Sequence, residues 1–289
     1  MRIICLIVIF WITPFNASST EPPIRFGLTA VVLTEKTRFL DQWSEYLEQK
    51  MGRKVEFTLR KSYRDVMDLL ESGGIDFAWI CGYPYVQPRK PETLQLLTVP
   101  IYRGEPRYHS YIIVHHNSGY RHFSDLKGKI FAFSDPDSNS GFLYPLTLMG
   151  ERGEKSDTFF RQTFFTFNHA ETVQAVSDQV ADGGAVDSYI WESLAVSRPD
   201  ITEKTRIIDR SPSFGFPPIV FRLGTNDHTV QLMKDTLENM DNDTEGQKLL
   251  AQLKLDGFGH YPDSLFNGIR AMANRVQRTG PKYSLLPAD

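Results

Sequence analysis

The sequence holds 289 residues, 35 acidic and 32 basic, for a formal net charge of −3, with only two cysteines. A mildly acidic chain without a long basic run argues against nucleic acid as a partner. No stretch has the composition of a linker or a low-complexity tail.

The chain opens "MRIICLIVIFWITPFNASST". Arg2, an apolar run and the small residues Ala17, Ser18 and Ser19 form the three parts of a secretory signal over residues 1–19, cut after Ser19. The apolar run is short of the roughly 20 residues a membrane helix needs, although a retained N-terminal anchor is the competing reading. No later stretch is long and apolar enough to span a bilayer, so a soluble mature protein is expected. Cleavage removes Cys5 and leaves Cys81 alone, so an exported fold without an internal disulfide must hold by its core. The remaining length suits two modest domains better than one.

In chain order, "IRFGLTA" reads as a short strand ending in a loop near Thr29. "TRFLDQWSEYLEQKMG" is a helix with Leu40, Trp43 and Leu47 on one face and Gly52 as its stop. "KVEFTLR" alternates as a strand, and "SYRDVMDLLESGG" is a helix capped by Ser62 with Asp65 three residues on. "IDFAWI" is a nearly continuous apolar strand. Strand, helix, strand, helix, strand with short joints means a parallel sheet covered by helices.

The pattern then restarts. "YHSYIIVHH", "KIFAFSD", "RQTFFTFN" and "GAVDSYI" read as strands. "SGFLYPLTLMGERG" reads as a helix, as does "HAETVQAVSDQVADGG" with Val173, Val176 and Val180 inward. "SPSFGFPP" is turn-rich, "IVFRLG" is one more strand, and amphipathic helices close the chain. The fold class is α/β in two lobes. Turn-rich joints near Asn117 and Ser213 place lobe 1 over residues 20–115 plus 214–289 and lobe 2 over residues 116–213. Two crossing strands would then act as a hinge beside a cleft. Ligands of open parallel sheets sit beyond the carboxyl ends of the strands.

Those strand ends carry the candidate chemistry. Ser138, Asn139, Ser140 and Gly141 precede a helix, where free backbone N–H groups suit an oxyanion and Gly141 admits it closely. A serine that merely caps the helix fits the same residues. The glycine spacing and lysine of a nucleotide phosphate loop are missing. His169 follows a strand and leads a helix, and Asp187 lies in a buried strand; each suits a ligand or a purely structural contact. Tyr83 and Tyr85 flank Pro84 in a turn that packs or lines a cleft. His115 and His116 are adjacent in a strand and point to opposite faces, so no metal site is expected.

Together "IRFGL", "YLEQKMGRKVEF", "SYRDVMDLLESGGIDFAW", "GYPYV", "DPDSNSGFLYP", "HAETVQAVSDQVADGGAVDS" and "EGQKLLAQLKLDGF" resemble the phosphate/phosphite/phosphonate-binding family of periplasmic substrate-binding proteins. The likeness spans nearly all of the mature chain. It implies a type II periplasmic-binding-protein fold with a hinge and an interdomain cleft, a periplasmic location, and delivery of a small oxyanion to an ABC importer's permease. By that resemblance Ser138, Asn139 and Ser140 hold the anion and Tyr85 covers it from the other lobe. His169 and Asp187 complete the site, and Tyr63 contributes as the aromatic after the second strand. The family commonly has Ser-Thr-Ser-Gly where this chain has Asn139, a larger amide with two donors, which reshapes the pocket.

A carboxylate repels a bare anion, so Asp187 calls for a protonated or amine-bearing ligand such as a phosphonate, and not sulfate. Cys81, at a strand end, is either an inert buried thiol or a soft ligand. Arsenite, neutral and thiophilic, is the alternative, because a branch resembling this family binds arsenite through a cysteine and signals to a membrane sensor kinase. A thiol enzyme with Cys81 as nucleophile and His109 or His169 as base is the competing class. No helix start that would lower the thiol pKa is expected directly after Cys81. The expectation is therefore a monomeric binding protein without cofactor.

Overall fold

A computed structural model describes residues 21–29, 37–90 and 92–279. The export signal expected over residues 1–19, with Cys5 and the cut after Ser19, lies outside them. Among the described residues no helix is long and apolar enough to cross a membrane.

The strands are β1 (Ile24–Leu28), β2 (Val55–Leu59), β3 (Phe77–Trp79), β4 (Leu94–Ile101), β5 (Arg107–Tyr108), β6 (Ser110–His115), β7 (Ile130–Phe133), β8 (Gln162–Phe165), β9 (Gly183–Asp187), β10 (Thr205–Arg210), β11 (Phe214–Gly215), β12 (Ile219–Arg222) and β13 (Gly257–Gly259). One sheet has six strands in the order β13-β4-β12-β3-β1-β2, and the other has five in the order β10-β6-β9-β7-β8. Both share one plan. β2-β1-β3 and β8-β7-β9 are parallel, with Ile24 opposite Val55 and Ile130 opposite Gln162. Antiparallel strands extend each trio, β12, β4 and β13 on one sheet and β6 and β10 on the other.

The parallel trios arise because helices return each chain segment to the same end. The helix Thr37–Met51 buries Phe39, Trp43, Tyr46 and Leu47 on one stripe. Trp43 lies 5.0 Å from Phe57 and 6.0 Å from Phe26, ring to ring. Each such buried side chain stabilises by about 1.5–3 kcal/mol. In the other sheet Phe131 stacks on Phe160 at 4.5 Å, and Phe133 packs on Phe142 and Phe165. At Gly184 of β9 an added Cβ would meet Thr172 Cγ2 at 2.7 Å, so glycine lets the helix His169–Ser177 lie close on the sheet.

The chain passes between the sheets twice, and the passing segments pair. β5 runs antiparallel to β11, Tyr108 opposite Phe214 and Arg107 opposite Gly215. The first passage therefore precedes β6, which already belongs to the five-stranded sheet, and lies upstream of the joint expected near Asn117. β4, β10 and β13 were not expected as strands. The helix led by His169 ends at Ser177, so Val180 falls in the following turn and is 59 % exposed instead of inward. "GAVDSYI" is a strand only to Asp187; its carboxylate accepts the Tyr189 N–H at 2.8 Å and starts the helix Ser188–Ser197.

Candidate functional site

The carboxyl ends of β3, β7 and β9 converge on one buried polar cluster. β7 runs out into Ser134-Asp135-Pro136-Asp137, and a π-helical turn over Asn139–Leu143 leads into the helix Tyr144–Glu151. Ser138, Asn139 and Ser140 are fully buried there. The expected free amides are largely engaged. Asp137 N–H donates to Asp135 Oδ1 at 2.7 Å, Ser138 N–H to Asp135 O at 2.9 Å and Gly141 N–H to Ser138 Oγ at 2.9 Å. The Asn139 N–H donates to Cys81 Sγ at 3.2 Å. The cause is local: Asp135 closes the turn with its own side chain, Ser138 caps it, and the thiol arrives from the other sheet. Gly141 is needed for close approach to Ser134, whose Cβ an added methyl would meet at 2.5 Å.

Two side-chain atoms of this segment are also without a partner. Asn139 Oδ1 and Ser140 Oγ are buried without a hydrogen-bond partner. Leaving such groups unpaired costs about 1–3 kcal/mol each. The other end of Asn139 is fixed, its Nδ2 donating to Tyr108 Oη at 2.9 Å.

His169 and Asp187 stand beside this segment. The Asp187 N–H donates to His169 Nδ1 at 3.1 Å, and an amide can only donate, so Nδ1 is unprotonated and Nε2 carries the hydrogen. Nε2 faces Tyr63 Oη at 3.4 Å. Ser134 Oγ lies 2.9 Å from Nδ1 and 2.8 Å from Ala185 O, so its one hydrogen serves one of these two acceptors. Burial pulls His169 down to about 3, so it is neutral at physiological pH. Asp187 moves oppositely: burial pushes its carboxyl up to about 8 against the pull of the Tyr189 and Ile190 N–H groups. Both therefore present neutral N–H or O–H donors in a dry site. Asp135 is likewise raised by burial, to about 7, while accepting the Tyr63 N–H at 3.2 Å.

The six-stranded sheet supplies Tyr63, Cys81 and Tyr83, although not all at the cluster. Tyr63 is buried and heads the helix Tyr63–Ser72. Cys81 is buried and its thiol is pushed up to about 11 by that burial, so it is protonated. A short helical turn, Gly82–Val86, does start directly after it, contrary to expectation, yet burial outweighs any dipole effect. Tyr83 is half-buried and lines an open groove of about 530 Å³ with Arg64, Met67, Pro84, Arg89 and Asp137. Tyr85 does not reach the cluster. Its hydroxyl donates to Asp263 Oδ1 at 2.6 Å and its ring packs on Phe266, because the helix Asn267–Thr279 covers that side of the turn.

Three participants were missed from sequence. Tyr108 sits in the passing strand β5, where only its polar tip hinted at more than packing. Arg64 donates to both carboxylate oxygens of Asp137, at 2.9 and 2.8 Å, tying the two sheets together at the rim. Ser134 lies at the end of β7, one residue before the segment that drew attention. His115 and His116 touch edge to face at 4.7 Å, and no group of three metal-ligating side chains occurs among the described residues.

Comparison with known proteins bears on the family and the fold. Residues 27–266 match the profile of the family described as ABC transporter, phosphonate, periplasmic substrate-binding protein. The phosphonates-binding periplasmic protein of Escherichia coli is 25 % identical over 280 residues, covering 94 % of this chain and 82 % of its own. A crystal structure of a binding protein component of an ABC phosphonate transporter from Pseudomonas aeruginosa superposes with a TM-score of 0.81 at 21 % identity, over 90 % of this chain and 88 % of that one. PhnD1 from Prochlorococcus marinus, solved with methylphosphonate, gives 0.77 at 18 % identity, over 88 % and 98 %.

Proposed function

The chain belongs to the phosphonate-type periplasmic substrate-binding family of ABC transporters, and from that premise we propose that it captures one small phosphorus oxyanion, a phosphonate, phosphite or phosphate, between two closing lobes. The family is a transporter component and not an enzyme. In this reading each sheet with its helices is one lobe, the β5–β11 pair is the hinge, and the closed monomer presents its cargo to a membrane permease.

One observation carries the reading. At the carboxyl ends of the strands, the unpartnered Asn139 Oδ1 and Ser140 Oγ lie in the same buried cluster as two neutral donors, His169 Nε2 and the Asp187 carboxyl. A protonated phosphonate both accepts and donates hydrogen bonds, so it matches that mixture, whereas fully deprotonated sulfate offers no proton. Closure draws its energy from contacts made to both lobes at once.

A thermal-shift panel of methylphosphonate, 2-aminoethylphosphonate, phosphite, phosphate, sulfate and arsenite tests this. Phosphorus oxyanions are expected to raise the melting temperature and sulfate to leave it unchanged; indifference to every phosphorus compound sinks the proposal. Arsenite belongs in the panel because the Cys81 thiol touches the anion-binding segment itself. A shift with arsenite alone would move the function to arsenite binding and the partner to a membrane sensor kinase.

A further inference from the structure

The helix Asn267–Thr279 touches both proposed lobes along its length. Its approach lies on the proposed hinge, since a Cβ added at Gly215 of β11 would meet Leu265 Cγ at 2.9 Å and Phe266 Cδ1 at 3.0 Å. Its far end reaches the rim, where Gln277 lines the same groove as Arg64 and Asp137. Thirteen residues of α-helix cover about 20 Å between the two. On the side of the six-stranded sheet, Gln277 Nε2 donates to Gln87 Oε1 at 2.6 Å, and Ile269 is fully buried against Gly82, the residue after Cys81. A Cβ on Gly82 would meet Ile269 Cδ1 at 2.5 Å, so glycine there lets the helix lie directly on the turn. On the side of the five-stranded sheet, the helix packs on the π-helical turn Asn139–Leu143 and on the helix Tyr144–Glu151. There Arg275 Nη1 donates to Glu151 Oε1 at 2.7 Å, both side chains being half-exposed.

We propose that this helix is a strap: it travels with the six-stranded sheet, lies over the anion-binding turn of the other lobe when the molecule is shut, and peels off the helix Tyr144–Glu151 before a ligand enters or leaves. The inference rests on the reading above of two lobes closing on a phosphorus oxyanion. Some part must move, because Ser138, Asn139, Ser140, His169 and Asp187 are all buried. The direction of release follows from how the helix is fastened. The chain enters it from β13, which is paired with β4 of the six-stranded sheet, and Tyr85 of that lobe holds Asp263 in the connecting turn. Its charged tie to the other lobe is the solvent-accessible Arg275–Glu151 pair, a kind of contact that water readily replaces. Seated close to the hinge at one end and at the rim at the other, the strap slows separation of the lobes as a lid slows release from a closed site.

Joining the strap to the lobe it must leave tests the proposal. Glu151→Cys and Arg275→Cys are combined in the full mature chain and bridged with bis-maleimidoethane; Cys81 is buried, so the two new thiols take the linker. Bridged without ligand, the protein is expected to bind phosphite, methylphosphonate and inorganic phosphate at least ~10-fold more slowly than the unbridged variant in stopped-flow tryptophan fluorescence. Bridged when loaded, it is expected to release them more slowly by a similar factor. Without any ligand, bridging is expected to lower the radius of gyration in small-angle X-ray scattering. Equal rates for bridged and unbridged protein overturn the strap while the oxyanion reading stands. Equal slowing in the single-cysteine variants treated with the same reagent also overturns it, because the effect would then belong to the reagent. If neither wild type nor the unbridged variant binds any of the three anions, the oxyanion reading falls, and scattering alone decides the strap: an unchanged radius of gyration on bridging overturns it.

Discussion

His169 and Asp187 are ionisable groups held neutral by the same burial, and their shifts act on stability in opposite pH ranges. The folded protein keeps the Asp187 proton up to about pH 8, whereas an unfolded aspartate releases it near its ordinary 3.8. The native state therefore binds more protons between those values, and stability is lost as pH rises through them. His169 reverses the sign: the unfolded ring takes up a proton near 6.5 that the native ring refuses until about 3, so stability is lost as pH falls below 6.5. Asp135, raised to about 7, adds to the alkaline loss. A melting temperature that is highest in weak acid and declines from about pH 6 to pH 8 is expected. Asp187→Asn keeps an acceptor for the Tyr189 N–H but cannot ionise, so its decline over that range should be shallower, which differential scanning fluorimetry reads directly. Parallel curves for the two proteins would show that Asp187 is solvated, and the neutral-donor picture of the site would fail with it.

The helix Tyr63–Ser72 shows what an element adds to those residues. Ser62 Oγ accepts the Asp65 N–H at 3.1 Å, and Gly73 ends the helix with φ of 77°, a left-handed conformation that glycine adopts without strain. Ser62→Ala should cost about 1 kcal/mol, read as a fall of roughly 2–4 °C in melting temperature for a chain of this size. Because Tyr63 and Arg64 form the first turn, ligand affinity should fall as well. An unchanged melt would mean that Asp65 or water satisfies the helix start. This helix was legible because its cap, its apolar spacing and its glycine stop all lie within the segment. The same holds for Ser138 as a cap and His169 as a helix leader. β4 and β10 were not legible, since "LQLLTVPI" and "TRIIDR" form strands only through antiparallel pairing with distant partners. Tyr85 and Tyr108 illustrate the limit at the site. Each is an aromatic with a polar tip near a strand end, and the side it faces is set by packing of the C-terminal helix and by the β5–β11 pair, neither of which local spacing encodes.

At the scale of the whole molecule the two sheets meet through contacts of different reach. Near the β5–β11 pair, Tyr102 and Arg103 both bind Glu192, and Tyr189 Oη donates to Leu253 O at 2.6 Å. At the rim Arg64 pairs with Asp137, and among the buried contacts that join the sheets are the Tyr63 N–H with Asp135 and the Asn139 N–H with Cys81. If the two lobes close about the proposed hinge, the rim pair has the longer lever, and its loss would shift the open–closed equilibrium without disturbing either sheet. The Arg64 and Asp137 side chains are only 26 % and 15 % exposed, so their bidentate pair is less screened than a surface ion pair. Arg64→Met retains most of the apolar stem and removes the charge. It should raise the radius of gyration of the unliganded protein in small-angle X-ray scattering, and saturating phosphonate should restore the wild-type value. Affinity should fall roughly 3–10-fold, the share of binding energy diverted into closing the molecule. Asp137→Asn should act in the same direction, although burial already raises that carboxyl's pKa despite Arg64, so its effect should be the smaller. If Arg64→Met left both the scattering curve and the affinity unchanged, the rim pair would be a passenger of closure, and the driving contacts would have to be the buried ones around Asn139.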